Sequence, residues 1–553
     1  MGERASSQRS RAAGDSPWRG RVPRSYHQAV RILALAPVFI GFALVASSAT
    51  SAPPVIEVRL SAVFGDHAVL QRDQPTNVWG SARPGEEVTV TLAGRSAKGT
   101  TAANGHWSVS LESLPAGGPF ELVAQGTTRS VATDVLVGEV WLASGQSNMA
   151  MTVGSSRDAD TEAAAAVLPS LRVFTTATLG AGDPVADVRG TWVVSSPETV
   201  KAFSAVAYFF GREIHKALSV PVGIVVSSVG GTVAEAWTPS ATVSQEPALG
   251  PLWERWASAR KGFDRAAADA KFEKAMRKWR AEADSDRRAG RPPPPEPQPT
   301  GDPRANVSYP GSLWNGMVAP LVPLAMRGVL WYQGESNAPR AEQYQVLFPA
   351  LIRAWRAAWG REDLPFYFVQ LANFGKVDPS GGPSPWAELR EAQAMTLKAV
   401  PHTGMAVTID IGESSDIHPK NKQDVGRRLA LWALAKDYAK ADVVCAGPMF
   451  KEQRIEDGKL VLTFENAGAG LSTSDGRDPA GFAVASAKGA FTPAKAKIDG
   501  DHVVVWTPHV LHPTVVRYAW AESPDAATLT GPTGLPASPF RTDDRPLVTA
   551  GKN

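Results

Sequence analysis

The sequence predicts an α/β protein whose central part is a doubly wound sheet of five parallel strands, with a β-rich segment on either side. Three observations support this prediction. Buried apolar runs alternate with helical patterns between residues 136 and 440. Short alternating strands separated by turn residues occupy residues 55–135, and a similar pattern returns over 441–545. A chain of 553 residues has room for these parts as separate domains.

The first 52 residues are typical of a signal peptide with a basic leader. Seven arginines precede an apolar run at residues 32–46, and small residues follow it up to Ala52. Cleavage after Ala49 or Ala52 would satisfy the small-residue rule. The alternative is an uncleaved anchor, but the run is interrupted by proline and glycine and falls short of the roughly twenty residues that span a bilayer. We therefore expect a secreted or periplasmic protein without stable membrane insertion after cleavage.

Composition excludes several classes of protein. The formal net charge is only +3, and the basic residues concentrate in the N-terminal leader and in one helix, which argues against a nucleic-acid partner. Cys445 is the only cysteine, so no intramolecular disulfide can form. The nine histidines lack metal-ligand spacing, so we expect no metal site. The sequence leaves the oligomeric state open.

Residues 55–135 are predicted to form a β-sandwich. Strand patterns lie at residues 68–71, 77–80, 87–92 and 107–111, and the turns between them contain Pro-Gly and Asn-Gly. Trp79 and Trp107 lie within these strands. Such tryptophans could bind a glycan, but in a sandwich they more often fill the core, which is the interpretation that we favour.

The central segment, residues 136–440, carries the predicted parallel strands. They are placed at residues 137–143, 222–227, 327–333, 366–371 and 404–411, with helices at 205–217, 342–359 and 387–400. An insertion at about residues 246–303 breaks the alternation. It contains a charged helix at 252–289 followed by a run of four prolines, and we interpret it as a surface lid or spacer. Beyond it, residues 441–545 carry strand patterns at 460–464, 482–485 and 502–506.

Ser147 is the candidate nucleophile. It follows the first predicted strand through the turn Ser144-Gly145-Gln146, where the strand gives way to a helix N-terminus. Ligands of α/β folds bind at the carboxyl edge of the sheet, and free backbone N–H groups there can stabilise an oxyanion. A serine in such a turn can also be a simple helix N-cap. The motifs downstream favour catalysis.

Three further motifs follow predicted strands at the same edge. Gly230 and Gly231 follow the second strand, and their small size lets backbone N–H groups approach a reacting atom. Asn337 follows the third strand and offers an amide donor. His418 follows the fifth strand, with Asp416 two residues before it. Together with Ser147 these motifs supply the nucleophile, base, carboxylate and oxyanion donors that acyl transfer requires.

The motifs resemble those of a known family. The segments Gly145-Gln146-Ser147-Asn148-Met149, Gly230-Gly231-Thr232, Trp331-Tyr332-Gln333-Gly334-Glu335-Ser336-Asn337 and Asp416-Ile417-His418-Pro419-Lys420-Asn421-Lys422 are together similar to the sialate O-acetylesterase family of SGNH-type (GDSL-like) hydrolases. The resemblance covers about residues 55–439. It implies an SGNH-type, flavodoxin-like sheet and a serine carbohydrate esterase that works without a metal or organic cofactor.

The resemblance also implies roles for individual residues. Ser147 would attack the ester carbonyl and His418 would act as the base. The oxyanion would be held by the backbone N–H of Ser147, by Gly230 or Gly231 and by the Asn337 amide. Substrate positioning would fall to Gln146, Gln333, Glu335 and, for an acidic sugar, Arg390.

The carboxylate next to the histidine departs from the pattern of the wider superfamily. The wider superfamily has an acid three residues before the histidine, where this chain has Ser415. Asp416, two residues before His418, is the nearest acid and fits the sialate-esterase branch. Asp410 and Glu413 remain alternative partners.

The predicted activity is removal of O-acetyl groups from sugars, above all 9-O-acetyl esters of sialic-acid type. The carboxylate of a sialic acid is best bound by a bidentate arginine, and Arg390 is the candidate if its helix faces the site. The alternatives are an acetylxylan or pectin acetylesterase, an esterase for aryl or lipid esters, and a non-catalytic carbohydrate-binding protein. An acetylated sugar or glycan is the expected partner.

Overall fold

The computed structural model describes residues 57–261, 263–288, 291–297, 301–468 and 470–552. The predicted signal peptide lies outside these residues. Residues 56–553 form one compact unit. Its strands are β1 Arg59–Leu60, β2 Val69–Gln71, β3 Thr76–Ser81, β4 Glu87–Leu92, β5 Arg95–Thr100, β6 His106–Leu111, β7 Gly117–Gln125, β8 Arg129–Gly145, β9 Leu168–Thr176, β10 Gly190–Ser195, β11 Val222–Ser228, β12 Gly328–Tyr332, β13 Phe366–Val369, β14 Thr403–Ala406, β15 Met449–Glu456, β16 Lys459–Glu465, β17 Ser472–Thr473, β18 Phe482–Ala485, β19 Thr492–Pro493, β20 Lys495–Asp499, β21 His502–Trp506, β22 Val515–Tyr518, β23 Leu529–Thr530 and β24 Phe540–Arg541.

The α-helices within the described residues lie mainly in the central segment. They are α1 Ser147–Ala150, α2 Ala159–Ala164, α3 Ala205–Leu218, α4 Ser240–Gln245, α5 Gly250–Arg255, α6 Ala257–Arg260, α7 Arg265–Arg288, α8 Ala341–Trp359, α9 Pro385–Ala399 and α10 Lys422–Lys436. The predicted helices at 205–217, 342–359 and 387–400 correspond to α3, α8 and α9.

The central sheet has the order β10-β9-β11-β8-β12-β13-β14. The five predicted strands are β8, β11, β12, β13 and β14, and each pairs in parallel with its neighbour. The predicted number of strands, five, was too small. Strand β9 adds a sixth parallel strand, and β10 pairs antiparallel with β9 at the edge. The connections between parallel strands are helical, and α3 packs against α10 while α8 packs against α9.

The strand β8 is the longest element of the sheet, and its two halves have different partners. Its first half pairs antiparallel with β7. Its second half, fully buried, lies between β11 and β12. The domain boundary predicted between residues 135 and 136 therefore falls inside a continuous strand, because the N-terminal sheet and the central sheet share it.

The N-terminal segment is built from two hydrogen-bonded groups of strands. One is the sheet β1-β3-β6, and the other joins β4, β5, β7 and β2 to β8. Trp79 and Trp107 are buried, and the Trp79 ring meets Phe64 edge-on with ring centroids 4.6 Å apart. Both tryptophans therefore belong to the core, as predicted.

The insertion is helical but is not one continuous helix. The predicted helix at 252–289 is divided into α5, α6 and α7. Helix α7 is charged, and Ala283 is its one buried side chain among those described. The Trp279 indole N–H donates to the Pro294 carbonyl at 2.8 Å, so the proline tract folds back onto α7.

The C-terminal segment contains two four-stranded sheets, β15-β16-β21-β20 and β19-β18-β22-β24, and the pair β17-β23. The strands predicted at 460–464, 482–485 and 502–506 correspond to β16, β18 and β21. This segment contacts the loop after β13, where the Phe374 N–H donates to the Glu522 carbonyl at 3.4 Å. Across the described residues, none of the helices combines the length and apolar character that crossing a membrane requires.

Candidate active site

The turn that carries Ser147 is fixed by close backbone contacts. Gly145 adopts a φ of +134°, and a Cβ there would lie only 2.1 Å from the Tyr332 carbonyl oxygen, so no other residue fits. The Gln146 N–H donates to that same oxygen at 2.9 Å. Ser147 then begins α1, and a residue in that position has a backbone N–H without an intrahelical acceptor. The turn thus presents both a hydroxyl and a free N–H at the edge of the sheet.

Ser147 and His418 are in direct contact. The Ser147 Oγ lies 2.8 Å from the His418 Nε2, although 271 positions separate the two residues in the chain. Ser147 is half-buried, and the His418 side chain is 39% exposed, so an incoming ester can reach both. This is the hydrogen-bond geometry expected of a nucleophile and its general base.

Asp416 lies beside His418 but does not bond to its ring. Its Oδ1 is 3.8 Å from the His418 Nδ1, beyond hydrogen-bond distance, and accepts the His418 backbone N–H at 2.8 Å instead. Its Oδ2 lies 3.1 Å from the Lys420 ammonium. The backbone bond from His418 and the bond from Lys420 lower the pKa of the Asp416 carboxyl, so it is a carboxylate at neutral pH.

The two alternative carboxylates have other partners. Asp410 forms a bidentate pair with the Arg428 guanidinium, with both contacts at 2.6 Å. Glu413 accepts the Lys420 backbone N–H at 2.8 Å. Of the three acids, Asp416 is the one that the structure records within 4 Å of the His418 ring.

The glycine pair after β11 lies beside the serine. A Cβ on Gly230 would come within 3.4 Å of the Ser147 Cβ, so the backbone here approaches the nucleophile closely. Gly231 has a φ of +73° and faces open space. The Thr232 hydroxyl closes the turn by donating to the Val229 carbonyl at 2.8 Å.

Asn337 is buried and firmly oriented. Its Oδ1 accepts the Ala234 N–H at 2.9 Å and the Gln333 amide at 2.7 Å. Its Nδ2 donates to the Glu235 carboxylate at 2.9 Å. An amide nitrogen carries two protons, so one remains for an oxyanion.

The predicted positioning residues Gln146 and Gln333 are buried. The Gln146 side-chain oxygen accepts the N–H groups of Gly334 and Ser336 at 3.4 Å, which ties the nucleophile turn to the loop after β12. The Gln333 amide donates to Asn337 and also to the Thr232 carbonyl at 3.2 Å. Both glutamines therefore join loops of the site, and their role in positioning substrate stays a prediction.

Glu335, the third predicted positioning residue, is also buried, and its Oε1 accepts the Asn148 amide at 2.6 Å. Burial raises the pKa of the Glu335 carboxyl. Its recorded hydrogen bond is with protein, and a role of Glu335 in positioning substrate stays a prediction. It belongs to a buried polar cluster that the motifs did not reveal.

The arrangement can perform acyl transfer. A hydroxyl in contact with an imidazole supplies the nucleophile and base, and the Gly230 backbone lies beside that serine. Within the described residues no group of three or more His, Cys, Asp or Glu side chains could hold a metal ion.

The comparisons with known proteins agree with this chemistry. A family model described as "Carbohydrate esterase, sialic acid-specific acetylesterase" matches residues 311–435. The mouse sialate O-acetylesterase is 31% identical over 471 residues, which cover 78% of this chain and 83% of the mouse protein. The chain belongs to the sialate O-acetylesterase family. It is a carboxylic ester hydrolase, and the alternative of a non-catalytic carbohydrate-binding protein is not supported.

Two other relatives show the same likeness, and one of them covers more of the chain. The human sialate O-acetylesterase is 31% identical over 451 residues, covering 74% of this chain and 77% of the human protein. The crystal structure of a carbohydrate acetylesterase from Xanthomonas citri is 38% identical, with a TM-score of 0.75. It covers 88% of this chain and all of that one, so the flanking β-rich segments are part of the shared fold.

The structure corrects the prediction that Arg390 of this sialate O-acetylesterase family member binds a sugar carboxylate. Arg390 is fully buried in α9, and four of its N–H groups donate to backbone carbonyls at 2.7–2.9 Å. The acceptors are Leu371, Ala372, Ala521 and Glu522. Burial lowers its pKa to about 9. Arg390 joins the loop after β13 to the C-terminal segment.

Arg390→Met is therefore expected to destabilise the fold rather than change substrate preference. Each buried carbonyl that loses its donor costs about 1–3 kcal/mol, so the free energy of unfolding should fall by at least about 2 kcal/mol. Urea denaturation measures it, with Arg353→Met, an exposed arginine of α8, as the control. Unchanged stability together with a higher KM for acetylated sialic acid would restore the substrate role.

Sequence reasoning missed the charged cluster behind Asn337. The buried Glu235 carboxylate accepts from Arg340 at 2.9 Å and from Arg255 at 2.8 Å, besides the Asn337 amide. Arg255 lies in α5, inside the insertion that was interpreted as a lid or spacer. In this member of the family, the start of the insertion thus supports a candidate oxyanion donor. No motif spacing could reveal this, because the residues are distant in sequence.

Proposed function

We propose that the protein is an exported serine esterase that removes O-acetyl groups from sugars through an acetyl-enzyme intermediate. The observation that carries the proposal is the 2.8 Å contact between Ser147 Oγ and His418 Nε2 at the carboxyl edge of the sheet. Family membership supplies the class of ester. The proposed export rests on the N-terminal sequence alone.

Ser147 attacks the acetyl carbonyl while His418 Nε2 takes the hydroxyl proton. The oxyanion that forms is held by the N–H of Ser147, the Gly230 or Gly231 backbone and the second Nδ2 proton of Asn337. Loss of one such donor typically costs on the order of 3 kcal/mol of transition-state stabilisation. His418 then protonates the leaving sugar hydroxyl, and a water molecule that it activates hydrolyses the acetyl-enzyme.

Asp416 acts here through its charge and through the backbone rather than by holding the imidazole tautomer. At 3.8 Å its carboxylate is close enough to favour the imidazolium that forms during attack, but both oxygens are already bonded to other donors. We therefore propose that Ser147 and His418 work as a dyad assisted by Asp416. Catalytic hydrogen bonds can tighten when substrate binds, so the variants described in the Discussion test this point.

The proposed sugar is a sialic acid with a 9-O-acetyl group. The names of the family model and of the mammalian relatives support an acetylated sialic acid, and the 9-O position is our proposal. A second candidate is a neutral acetylated polysaccharide such as xylan, or acetylated pectin. It is favoured by the Xanthomonas citri relative, described as a carbohydrate acetylesterase, and by the burial of Arg390, which leaves no predicted arginine for a sialate carboxylate.

Acetate release separates these candidates. We expect purified protein to release acetate from 9-O-acetylated sialic acid with a higher kcat/KM than from acetylated xylan or pectin, because the family model and the mammalian relatives are named for acetylated sialic acid. The Ser147→Ala variant is the control for non-enzymatic hydrolysis. Preference for xylan or pectin would replace the sialate proposal, and no release from any of the three would contradict the proposed function as a whole.

A further inference from the structure

A buried polar cluster lies next to the candidate nucleophile and is not used in the reaction as described above. It consists of Asn148, Glu335 and Lys422, whose residues are 1%, 8% and 0% exposed. Lys422 is the first residue of α10, four positions after His418. A fully buried lysine is uncommon, because desolvation of the ammonium is costly unless a specific arrangement requires it.

The Asn148 side chain forms hydrogen bonds with two other loops of the site. Its Nδ2 donates to the Glu335 carboxylate at 2.6 Å and to the Ile417 carbonyl at 2.9 Å. Asn148 itself follows Ser147, Ile417 precedes His418, and Glu335 stands two residues before Asn337. One amide therefore joins the segments that carry the nucleophile, the base and an oxyanion donor.

Lys422 determines which way that amide points. Its ammonium donates to the Asn148 Oδ1 at 2.5 Å, and it lies over the Tyr332 ring, 5.3 Å from the centroid. An ammonium can only donate, so the oxygen of Asn148 must face Lys422. Both amide protons are then directed at Glu335 and Ile417. The reversed amide would place N–H groups against the ammonium and leave both acceptors without donors.

We propose that Lys422 is a positioning residue of the esterase: by orienting the Asn148 amide, it holds the Ser147 turn and the His418 loop at hydrogen-bond distance. This inference rests on the proposed roles of Ser147 and His418. Lys422 itself contacts neither reacting atom in the recorded geometry. Burial lowers the pKa of Lys422 to about 7, which shows that the buried ammonium is electrostatically unfavourable. Such a position agrees with a role that depends on the placement of the ammonium.

Replacing Lys422 with methionine keeps the volume of the stem and removes the donor. We expect kcat for a small acetyl ester to fall about tenfold to a hundredfold, because small displacements of reacting groups have effects of this size. KM should change little, since no contact to substrate is removed. Lys436→Met removes an exposed lysine from the same helix and should leave both constants unchanged.

A double-mutant cycle distinguishes positioning from simple packing. Asn148→Ala should lower kcat in the same way, and adding Lys422→Met to it should cost little more, because the lysine acts through the asparagine. Fully additive losses would overturn the inference. So would a Lys422→Met variant with wild-type kcat in a protein whose Ser147→Ala variant is inactive; activity in Ser147→Ala would instead refute the proposed function.

Asn148→Asp keeps the test decisive if Lys422→Met does not fold. Aspartate retains an oxygen acceptor for Lys422 but loses both donated hydrogen bonds, to Glu335 and to Ile417. We expect a folded protein, judged by its circular dichroism, with kcat reduced at least about tenfold and KM little changed. A kcat equal to that of the wild type would show that the amide does not position the loops, and would overturn the inference.

Discussion

Ser147→Ala is expected to abolish acetyl-ester hydrolysis, with kcat reduced by about 10⁴- to 10⁶-fold, as in other serine hydrolases that lose the nucleophile. The change removes one oxygen atom from a half-buried turn whose shape is set by Gly145 and Gln146, so the fold should be unaffected. Turnover of a chromogenic acetyl ester measures the loss, and thermal unfolding verifies the structure.

A matched serine elsewhere provides the control. Ser244→Ala, in the short helix α4, removes a hydroxyl that only donates to the Ala241 carbonyl, and turnover should not change. A hydroxyl-directed organophosphate should label the wild-type protein on Ser147. Retention of more than a few per cent of turnover by Ser147→Ala, or an adduct on a different serine, would contradict the assignment.

His418→Ala should be nearly as damaging as Ser147→Ala, whereas Asp416→Asn should lower kcat only about tenfold or less. A carboxylate that holds the imidazole tautomer is worth about 10⁴ in kcat. Asp416 lies 3.8 Å from the His418 Nδ1 and bonds to the backbone N–H instead, a contact that the asparagine oxygen can keep. Measuring kcat for the three variants on one ester tests this expectation.

Glu413→Gln serves as the control for loss of a nearby negative charge, since Glu413 bonds to the Lys420 N–H and not to His418. If Asp416→Asn is as inactive as His418→Ala, the site is a full triad that tightens on binding substrate. If His418→Ala remains active, the base is misassigned despite its contact with Ser147.

Five of the parallel strands were predictable because each is a buried apolar run followed by a turn. The strands β9 and β10 were not predicted. Strand β9 contains Pro169 and the buried Arg172, residues that are more typical of loops. Arg172 is tolerated there because its guanidinium donates to the carbonyls of His67 and Asp134, outside its own strand. Such compensation depends on the tertiary structure and leaves no local pattern.

The motifs of the candidate site could be predicted from the sequence, but the contacts that support its residues could not. Ser147 and His418 were identified because each follows a buried strand, and parallel strands bring their carboxyl ends together. The partners of these residues were not identifiable. Lys422 lies in the motif around His418, but its spacing predicts no contact with Asn148. Arg255 lies in an insertion, so its contact with Glu235 has no counterpart in sequence spacing.

The continuous strand β8 has a consequence for how the protein unfolds and where it can be divided. Its 17 residues begin as the partner of β7 and end at Gly145, two residues before the nucleophile. No linker separates the two halves, so a hydrolase expressed from residue 136 would begin in mid-strand, and a protease would find no exposed hinge there. We therefore expect the N-terminal segment to behave as part of the enzyme rather than as an exchangeable module, and to unfold together with the central sheet.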